Sequence, residues 1–158
     1  MQKAPNRQDQ PQTDRSLPRS KILRGKKNFE RLFEKSTILS SNSLHFRYRV
    51  YKNPGEGCYI GFIAPKKKIK GAVQRNRAKR IMREAYRVNQ HLVNYLFDTK
   101  EFGLHGVFIA NQPGIGFEDA NKEIVDILNR LGKTLKAMIS RTPGNANSRI
   151  ATAEIKKN

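Results

Sequence analysis

Residues 44–64, LHFRYRVYKNPGEGCYIGFIA, carry the clearest strand pattern in the 158-residue chain. From Leu44 to Tyr51 apolar residues alternate with polar ones, which predicts a β-strand with one buried face. The stretch from Asn53 to Gly57 is typical of a turn, so Cys58 to Ala64 is predicted to be the antiparallel partner of the first strand. We therefore expect a sheet to form the centre of the fold.

Four further elements are predicted, one before this hairpin and three after it. A short helix is expected from Asn28 to Lys35, with Asn28 as its N-cap, and a longer helix from about Ala72 into the low 90s. Gly106 to Ala110 (GVFIA) is predicted to be a buried strand, and Glu118 to Ile139 a helix with an apolar stripe. The order α-β-β-α-β-α predicts an α+β fold class, a small two-layer α/β sandwich with a sheet of three to four strands.

Composition excludes several classes of protein. The single cysteine, Cys58, rules out an internal disulfide framework and a multi-cysteine zinc site. The longest apolar runs are too short to cross a bilayer, and the first residues lack the apolar stretch of a secretory signal. We expect a cytoplasmic protein with no membrane partner and no evident obligate protein partner.

Residues 1–20 and 141–158 are polar and lack apolar periodicity, which predicts disordered tails around one folded domain, residues 21–140.

The chain carries 32 Lys and Arg residues against 13 Asp and Glu, a formal charge of +19. The charge is unevenly distributed, because residues 66–87 hold ten basic residues and one acidic residue, whereas residues 88–140 hold five and six. A surface charged only for solubility would spread its charges along the chain. The basic segment favours nucleic acid as the partner, with an anionic membrane surface as the weaker alternative.

The basic segment has two distinct sides when it is placed on a helix. The apolar side consists of Ala78, Ile81, Met82, Ala85 and Val88. The opposite side is almost purely cationic and includes Arg75, Lys79, Arg83 and Arg87 at intervals of four. Like charges at this spacing repel each other, and a solvated surface helix would mix signs. We therefore interpret this side as a binding site for nucleic-acid phosphates. The loop before the helix adds Lys66, Lys67, Lys68 and Lys70.

A second basic surface is predicted where the first helix meets the first strand. Phe29 and Phe33 are four residues apart and share one helix face, either as core residues or, if Leu32 is the inward anchor, at the edge of a groove. One side of the strand carries His45, Arg47 and Arg49. These residues form either a plain solvent face or the cationic wall of that groove. Aromatic and cationic side chains together hold single-stranded nucleic acid with little sequence preference.

The sequence shows no pattern of a protein catalyst. Acidic residues are too sparse to hold the metal ions of a protein nuclease, the three histidines are scattered, and the Gly-Lys-Ser/Thr of a phosphate loop is missing. Cys58 lies within an apolar strand, which favours a buried structural thiol over a nucleophile. We expect no catalytic residue and no metal ligand in this chain.

The segment Arg75-Asn76-Arg77-Ala78-Lys79-Arg80, with Arg83-Glu84-Ala85 after it, resembles the Arg-Asn-Arg signature of the bacterial ribonuclease P protein component. Residues 23–33 (LRGKKNFERLF) are similar to the opening of that family, and residues 110–114 (ANQPG) to its loop after the third strand. The order of these blocks also agrees over about residues 22–135. Where the family usually has Arg or Lys after the alanine of that strand, this chain has Asn111.

The resemblance implies that this chain is the non-catalytic protein subunit of a ribonucleoprotein endoribonuclease. Its partners would be the ribonuclease P RNA, which catalyses the reaction with Mg²⁺ bound chiefly by that RNA, and precursor tRNA, which loses its 5′ leader. The resemblance also implies a left-handed β-α-β crossover, against the usual right-handed rule. The alternative is a ribosomal-type or double-stranded RNA-binding structural protein with no processing role.

The resemblance assigns roles to residues by their positions. The residues expected to contact the catalytic RNA are Arg75, Asn76, Arg77, Lys79, Arg80 and Arg83, and the same basic segment adds Arg87, Lys66, Lys67, Lys68 and Lys70. The residues expected to line a cleft for the single-stranded leader are Phe29, Phe33, His45, Arg47 and Arg49.

Overall fold

One mixed sheet forms the centre of the computed structural model, which describes residues 16–140. Its strands are β1 (Thr37–Ser40), β2 (Leu44–Tyr51), β3 (Cys58–Ile63) and β4 (Gly103–Ala110). They lie in the order β1-β2-β4-β3, with β1 and β4 antiparallel to β2 and β3 parallel to β4. The structure confirms the predicted α+β class with a small sheet.

The strand β3 is not the antiparallel partner of β2, so that part of the sequence-based prediction is wrong. The strand β4 lies between them, because all but one of its residues are buried and only a central position covers both of its faces. The segment from Asn53 to Gly57 therefore carries the chain past the start of β4 to the far edge of the sheet. Within β4, Gly106 leaves space for the ring of Phe46 on β2.

Within the described part of the chain, four helices cover the two faces of the sheet. The helix α1 (Lys26–Glu34) lies on one face, and α2 (Ala72–Asn89), α3 (His91–Phe97) and α4 (Phe117–Ser140) lie over the main core on the other. The helices α2 and α3 connect the parallel strands β3 and β4, as in the β-α-β unit that the resemblance implies. The structure therefore contains one strand, β1, and one helix, α3, that the predicted order of elements lacks. No helix within residues 16–140 has the length and apolar character that a membrane crossing requires.

The helix α1 begins two residues earlier than the sequence predicts, so Asn28 is not its N-cap. Gly25 precedes the helix with a φ of 95°, a conformation that residues with a side chain rarely adopt. Asn28 lies in the first turn, and its Nδ2 donates to the carbonyl of Arg24 at 2.8 Å. Leu32 is fully buried against Val107 of β4 and fixes the helix to the sheet.

Residues 16–24 run along the outer edge of β3, although the predicted disordered tail extends to residue 20. The amide of Leu23 donates to the carbonyl of Ile60 at 3.0 Å, and Arg19–Lys21 forms a single 3₁₀ turn. Leu17 packs against the main core. The apolar residues here are too few to produce periodicity, so only tertiary contacts reveal their place. The remaining parts of the predicted tails, residues 1–15 and 141–158, lie outside the described residues.

Candidate nucleic-acid interface

The helix α2 buries one side and presents the opposite side to solvent. Its buried residues are Ala78, Met82, Ala85 and Tyr86, which pack in the main core. On the other side lie Asn76, Arg77, Lys79, Arg80 and Arg83, of which only Lys79 is half-buried. We call these five residues the basic face. The two sides agree with those expected from helical spacing, with Tyr86 as an additional core residue.

Arg75 holds the preceding lysine loop against the start of α2. Its Nη1 donates to the carbonyls of Ile69, at 3.1 Å, and Lys70, at 2.6 Å. Ile69 is only 1% exposed and anchors the loop in the core. The exposed residues of the loop are Lys66, Lys67, Lys68 and Lys70. Arg75 therefore positions the lysines, a role that the sequence pattern did not indicate.

The charge of the last turns of α2 is partly neutralised. Arg87 and Glu84 form a two-pronged ion pair, with 2.9 Å between Nε and Oε1 and 2.6 Å between Nη2 and Oε2. These hydrogen bonds lower the pKa of Glu84 and raise the pKa of Arg87. Arg83 lies over the ring of Phe62, 5.8 Å from its centre. Arg77, Arg80 and Arg83 therefore carry most of the exposed positive charge of α2.

Aromatic and cationic side chains lie together where α1 packs on β2. We call this surface the α1 cleft, and its residues are Phe29, Phe33, His45, Arg47 and Arg49. The rings of Phe29 and Phe33 stack with their centres 6.4 Å apart. Phe33 is 41% exposed, whereas Phe29 is half-buried beside Leu32, the inward anchor. The ring of Phe33 is therefore open to solvent, whereas Phe29 packs partly against the core.

The cationic side chains of the α1 cleft come from β2. The guanidinium carbon of Arg47 lies 5.4 Å from the centre of the Phe33 ring, and its Nη1 donates to the Ser36 hydroxyl at 3.2 Å. Arg49 donates from Nη1 to the carbonyl of Arg31 in α1 at 3.1 Å. His45 is half-buried, and its buried Nδ1 has no hydrogen-bond partner among residues 16–140. The structure thus brings the predicted cleft residues onto one surface, with Arg49 engaged by the helix backbone.

Arg31 and Glu56, which the sequence reasoning missed, tie α1 to the turn before β3. Their forked ion pair has 3.0 Å between Nη2 and Oε2 and 3.3 Å between Nη1 and Oε1. The hydrogen bonds lower the pKa of Glu56 and raise the pKa of Arg31. The Arg31 guanidinium also lies 4.8 Å from the centre of the Tyr51 ring. Of these three, only Tyr51 has a signal in the sequence, because it continues the alternation of β2.

His105 is a buried polar residue next to this ion pair. It is 2% exposed, and its Nε2 lies 3.2 Å from the carbonyl oxygen of Glu56. The centre of its ring lies 4.8 Å from that of Tyr51 and 5.6 Å from that of Tyr59. Burial lowers the pKa of His105, which favours the neutral ring. The residue supports the packing below the α1 cleft, and nothing in its local sequence indicates this.

The basic face and the α1 cleft belong to opposite faces of the sheet. Phe108 of β4 lies in the core under α2 and α4, whereas its neighbour Val107 lies under α1. Successive residues of a strand point to opposite faces, so each of the two helices has its own side of the sheet. An RNA segment bound along α2 would leave the α1 cleft open to a second segment.

A sequence model of the Ribonuclease P family matches residues 17–132, which include both surfaces. The ribonuclease P protein component of Chlorobaculum tepidum is 37% identical over 101 residues, with 60% of this chain and 65% of that protein covered. This chain spans between half and two thirds of the lengths of the first curated relatives that it matches.

The fold is similar to two solved structures. The RNase P protein of Staphylococcus aureus superposes with a TM-score of 0.55, covering 70% of this chain and 94% of that one at 18% identity. The RNase P protein from Thermotoga maritima gives a TM-score of 0.52, covering 69% and 96% at 22% identity. At these identities the likeness is one of fold.

Proposed function

This chain belongs to the ribonuclease P protein family, and we propose that it is the protein subunit of a ribonucleoprotein endoribonuclease that removes the 5′ leader of precursor tRNA. The active site would lie in the catalytic RNA, the ribonuclease P RNA. The observation that carries the proposal is the presence of two cationic surfaces on opposite faces of one sheet, both within the matched region, residues 17–132. One surface suits a folded RNA and the other a single strand.

The basic face suits the phosphates of a folded RNA. Arg77 and Arg80 present exposed, planar guanidinium groups, which bind phosphate oxygens with paired hydrogen bonds. The lysine loop, held by Arg75, adds point charges next to the first turn of α2. If five or six phosphates were neutralised, the logarithm of the binding constant would fall with the logarithm of salt concentration at a slope of about −4 to −5.

The α1 cleft suits a single-stranded leader. Phe33 offers an exposed ring for stacking of an unpaired base, and Arg47 beside it supplies charge for the backbone. Stacking contributes about 1–3 kcal/mol per base and tolerates every base, as a leader of variable sequence requires. Binding in the α1 cleft would therefore favour precursor tRNA over mature tRNA.

Mg²⁺ would be bound chiefly by the RNA subunit, whose phosphate oxygens are hard ligands for it. Within the described part of this chain, no three His, Cys, Asp or Glu side chains come together as a metal site. The contribution of the chain would be electrostatic, because its cationic surfaces reduce the repulsion between the catalytic RNA and its substrate.

The proposal is tested by mixing the purified chain with a bacterial ribonuclease P RNA and precursor tRNA at low Mg²⁺. We expect faster release of the leader than with the RNA alone. No stimulation would contradict the proposal, and RNA binding without stimulation would favour the ribosomal-type or double-stranded RNA-binding structural protein. Cleavage by the chain without RNA would contradict the assignment of the active site to the RNA.

A further inference from the structure

We propose that Arg19, Arg24 and Arg83 form a third RNA-binding site, a phosphate pocket between residues 16–24 and α2. This inference rests on the proposed function, since the RNA would be the ribonuclease P RNA or its tRNA substrate. The three arginines line a cavity of about 480 Å³ together with Leu17 and Ile22. We call this cavity the arginine pocket.

Every charged residue that lines the arginine pocket is basic, and its two other lining residues are apolar. The ion pairs formed among residues 16–140 involve Arg31, Arg87 and Arg130, so no carboxylate within this range neutralises the pocket. Arginines around one cavity repel each other, and a bound anion removes that repulsion. A phosphate group is the anion that guanidinium groups recognise with paired hydrogen bonds.

The backbone that carries two of these arginines is fixed at both ends. Gln90, 2% exposed, donates from Nε2 to the carbonyl of Ser16 at 2.9 Å. At the other end the amide of Leu23 donates to the carbonyl of Ile60 at 3.0 Å. The backbone of Arg19 and Arg24 is therefore already held in place before a phosphate binds. Binding then costs less conformational entropy than it would for the same residues on a free tail.

Arg83 connects the arginine pocket to the basic face. It belongs to both, and its guanidinium lies over the ring of Phe62 in β3, 5.8 Å from the ring centre. An RNA strand bound along α2 therefore has a continuous cationic path to residues 16–24. The predicted boundary at residue 20 placed Arg19 in a tail, so the sequence did not connect it with Arg83.

The test uses the full chain with Arg19→Gln and Arg24→Gln combined. A matched control, Lys122→Gln with Lys133→Gln, removes two exposed positive charges from α4. Binding is measured over a range of salt concentrations, first to a ribonuclease P RNA transcript and then, for the reconstituted holoenzyme, to precursor and mature tRNA. We expect the pocket variant to make the salt slope shallower by about 0.7 to 0.9, the contribution of the one phosphate that the arginines share, in one of these measurements. The control should leave the slope unchanged.

The measurement that changes identifies the source of the phosphate. A shallower slope with the transcript alone assigns it to the ribonuclease P RNA, and a change confined to tRNA binding by the holoenzyme assigns it to the substrate. Equal slopes for the pocket variant and the control in both measurements would overturn the arginine pocket. In that case, if the wild-type chain still stimulates cleavage, the proposed function is unaffected. If the wild-type chain neither binds RNA nor stimulates cleavage, the arginine pocket and the proposed function are both contradicted.

A coupling measurement tests whether the three arginines share one phosphate. We expect Arg83→Gln, added to the pocket variant, to weaken binding by a smaller factor than it does in the wild-type chain, because the shared contact is already damaged. Equal factors in the two backgrounds would overturn a shared site. Thermal unfolding of each variant provides the control for folding.

Discussion

The guanidinium carbon of Arg47 on β2 lies 5.4 Å from the centre of the Phe33 ring on α1. The two residues come from opposite walls of the α1 cleft, one from the sheet and one from the helix. Phe33 is 41% exposed, so the pair presents an aromatic ring and a positive charge at the same place. A single strand bound in the α1 cleft would meet both.

Replacing Phe33 by Ala tests the stacking role of this pair. We expect the affinity of the holoenzyme for precursor tRNA to fall by about 5- to 150-fold, which corresponds to about 1–3 kcal/mol of lost stacking. Affinity for mature tRNA should not change, because it has no leader. The matched control is Phe117→Ala, since Phe117 is 42% exposed at the start of α4, away from the α1 cleft. An equal loss for both tRNAs would contradict leader binding by Phe33.

Replacing Arg77 and Arg80 by Ala tests the basic face. Both side chains are exposed on α2, so we expect weaker binding of ribonuclease P RNA with little change in thermal stability. The salt slope should become shallower by about 1.4 to 1.8 for two lost phosphate contacts. Filter binding at several salt concentrations measures the affinity and its salt slope, and thermal unfolding measures the stability. An unchanged slope would show that the RNA does not contact this face.

Arg75→Ala should act through the lysine loop. The wild-type side chain donates to the carbonyls of Ile69 and Lys70, so its removal frees the loop from α2. We expect faster hydrogen exchange at the amides of Lys68 and Ile69, which donate to the carbonyl of Pro65. Arg77→Ala removes the same charge without touching the loop and serves as the control. If exchange rates in the two variants were the same, Arg75 would have no positioning role.

The Arg31–Glu56 ion pair predicts an acid-dependent part of stability. Hydrogen bonds from Arg31 hold the pKa of Glu56 below its ordinary value. The stabilisation is therefore fully present above the pKa of an unfolded Glu and is lost as pH falls through the lower folded value. We expect the difference in Tm between the wild-type chain and Glu56→Gln to narrow as pH falls from about 6 to about 3. A difference that stayed constant with pH would contradict the role of the ion pair.

Cys58 should react slowly with iodoacetamide at neutral pH. Burial raises the pKa of its thiol to about 11, and its Sγ lies 4.0 Å from the carbonyl oxygen of Phe102. Little thiolate is present under these conditions, and the thiolate is the reactive form. Mass spectrometry should show rapid labelling only after unfolding in urea. Equal rates in folded and unfolded chains would place the thiol in a more open environment.

Local sequence patterns were sufficient for β2 and for the start of α2. The strand β2 occupies Leu44–Tyr51, as its alternation predicts, and α2 begins at Ala72. These patterns are reliable because burial on one side of an element leaves a period of 2 or 3.6 in the sequence. The partner of β3 could not be predicted in this way, since a buried strand has apolar residues on both sides and its sequence does not record which neighbour it meets.

The sequence by itself determined where the positive charge lies, which side of α2 is basic and which family signature the basic segment carries. Only the tertiary structure decided that Arg75 holds the lysine loop, that Phe33 lies at the edge of the α1 cleft, and that Arg19 and Arg24 lie beside Arg83. The physical reason is that periodicity reports the burial of one element at a time. Contacts between side chains that are tens of residues apart depend on how the elements pack, and no local pattern encodes that packing.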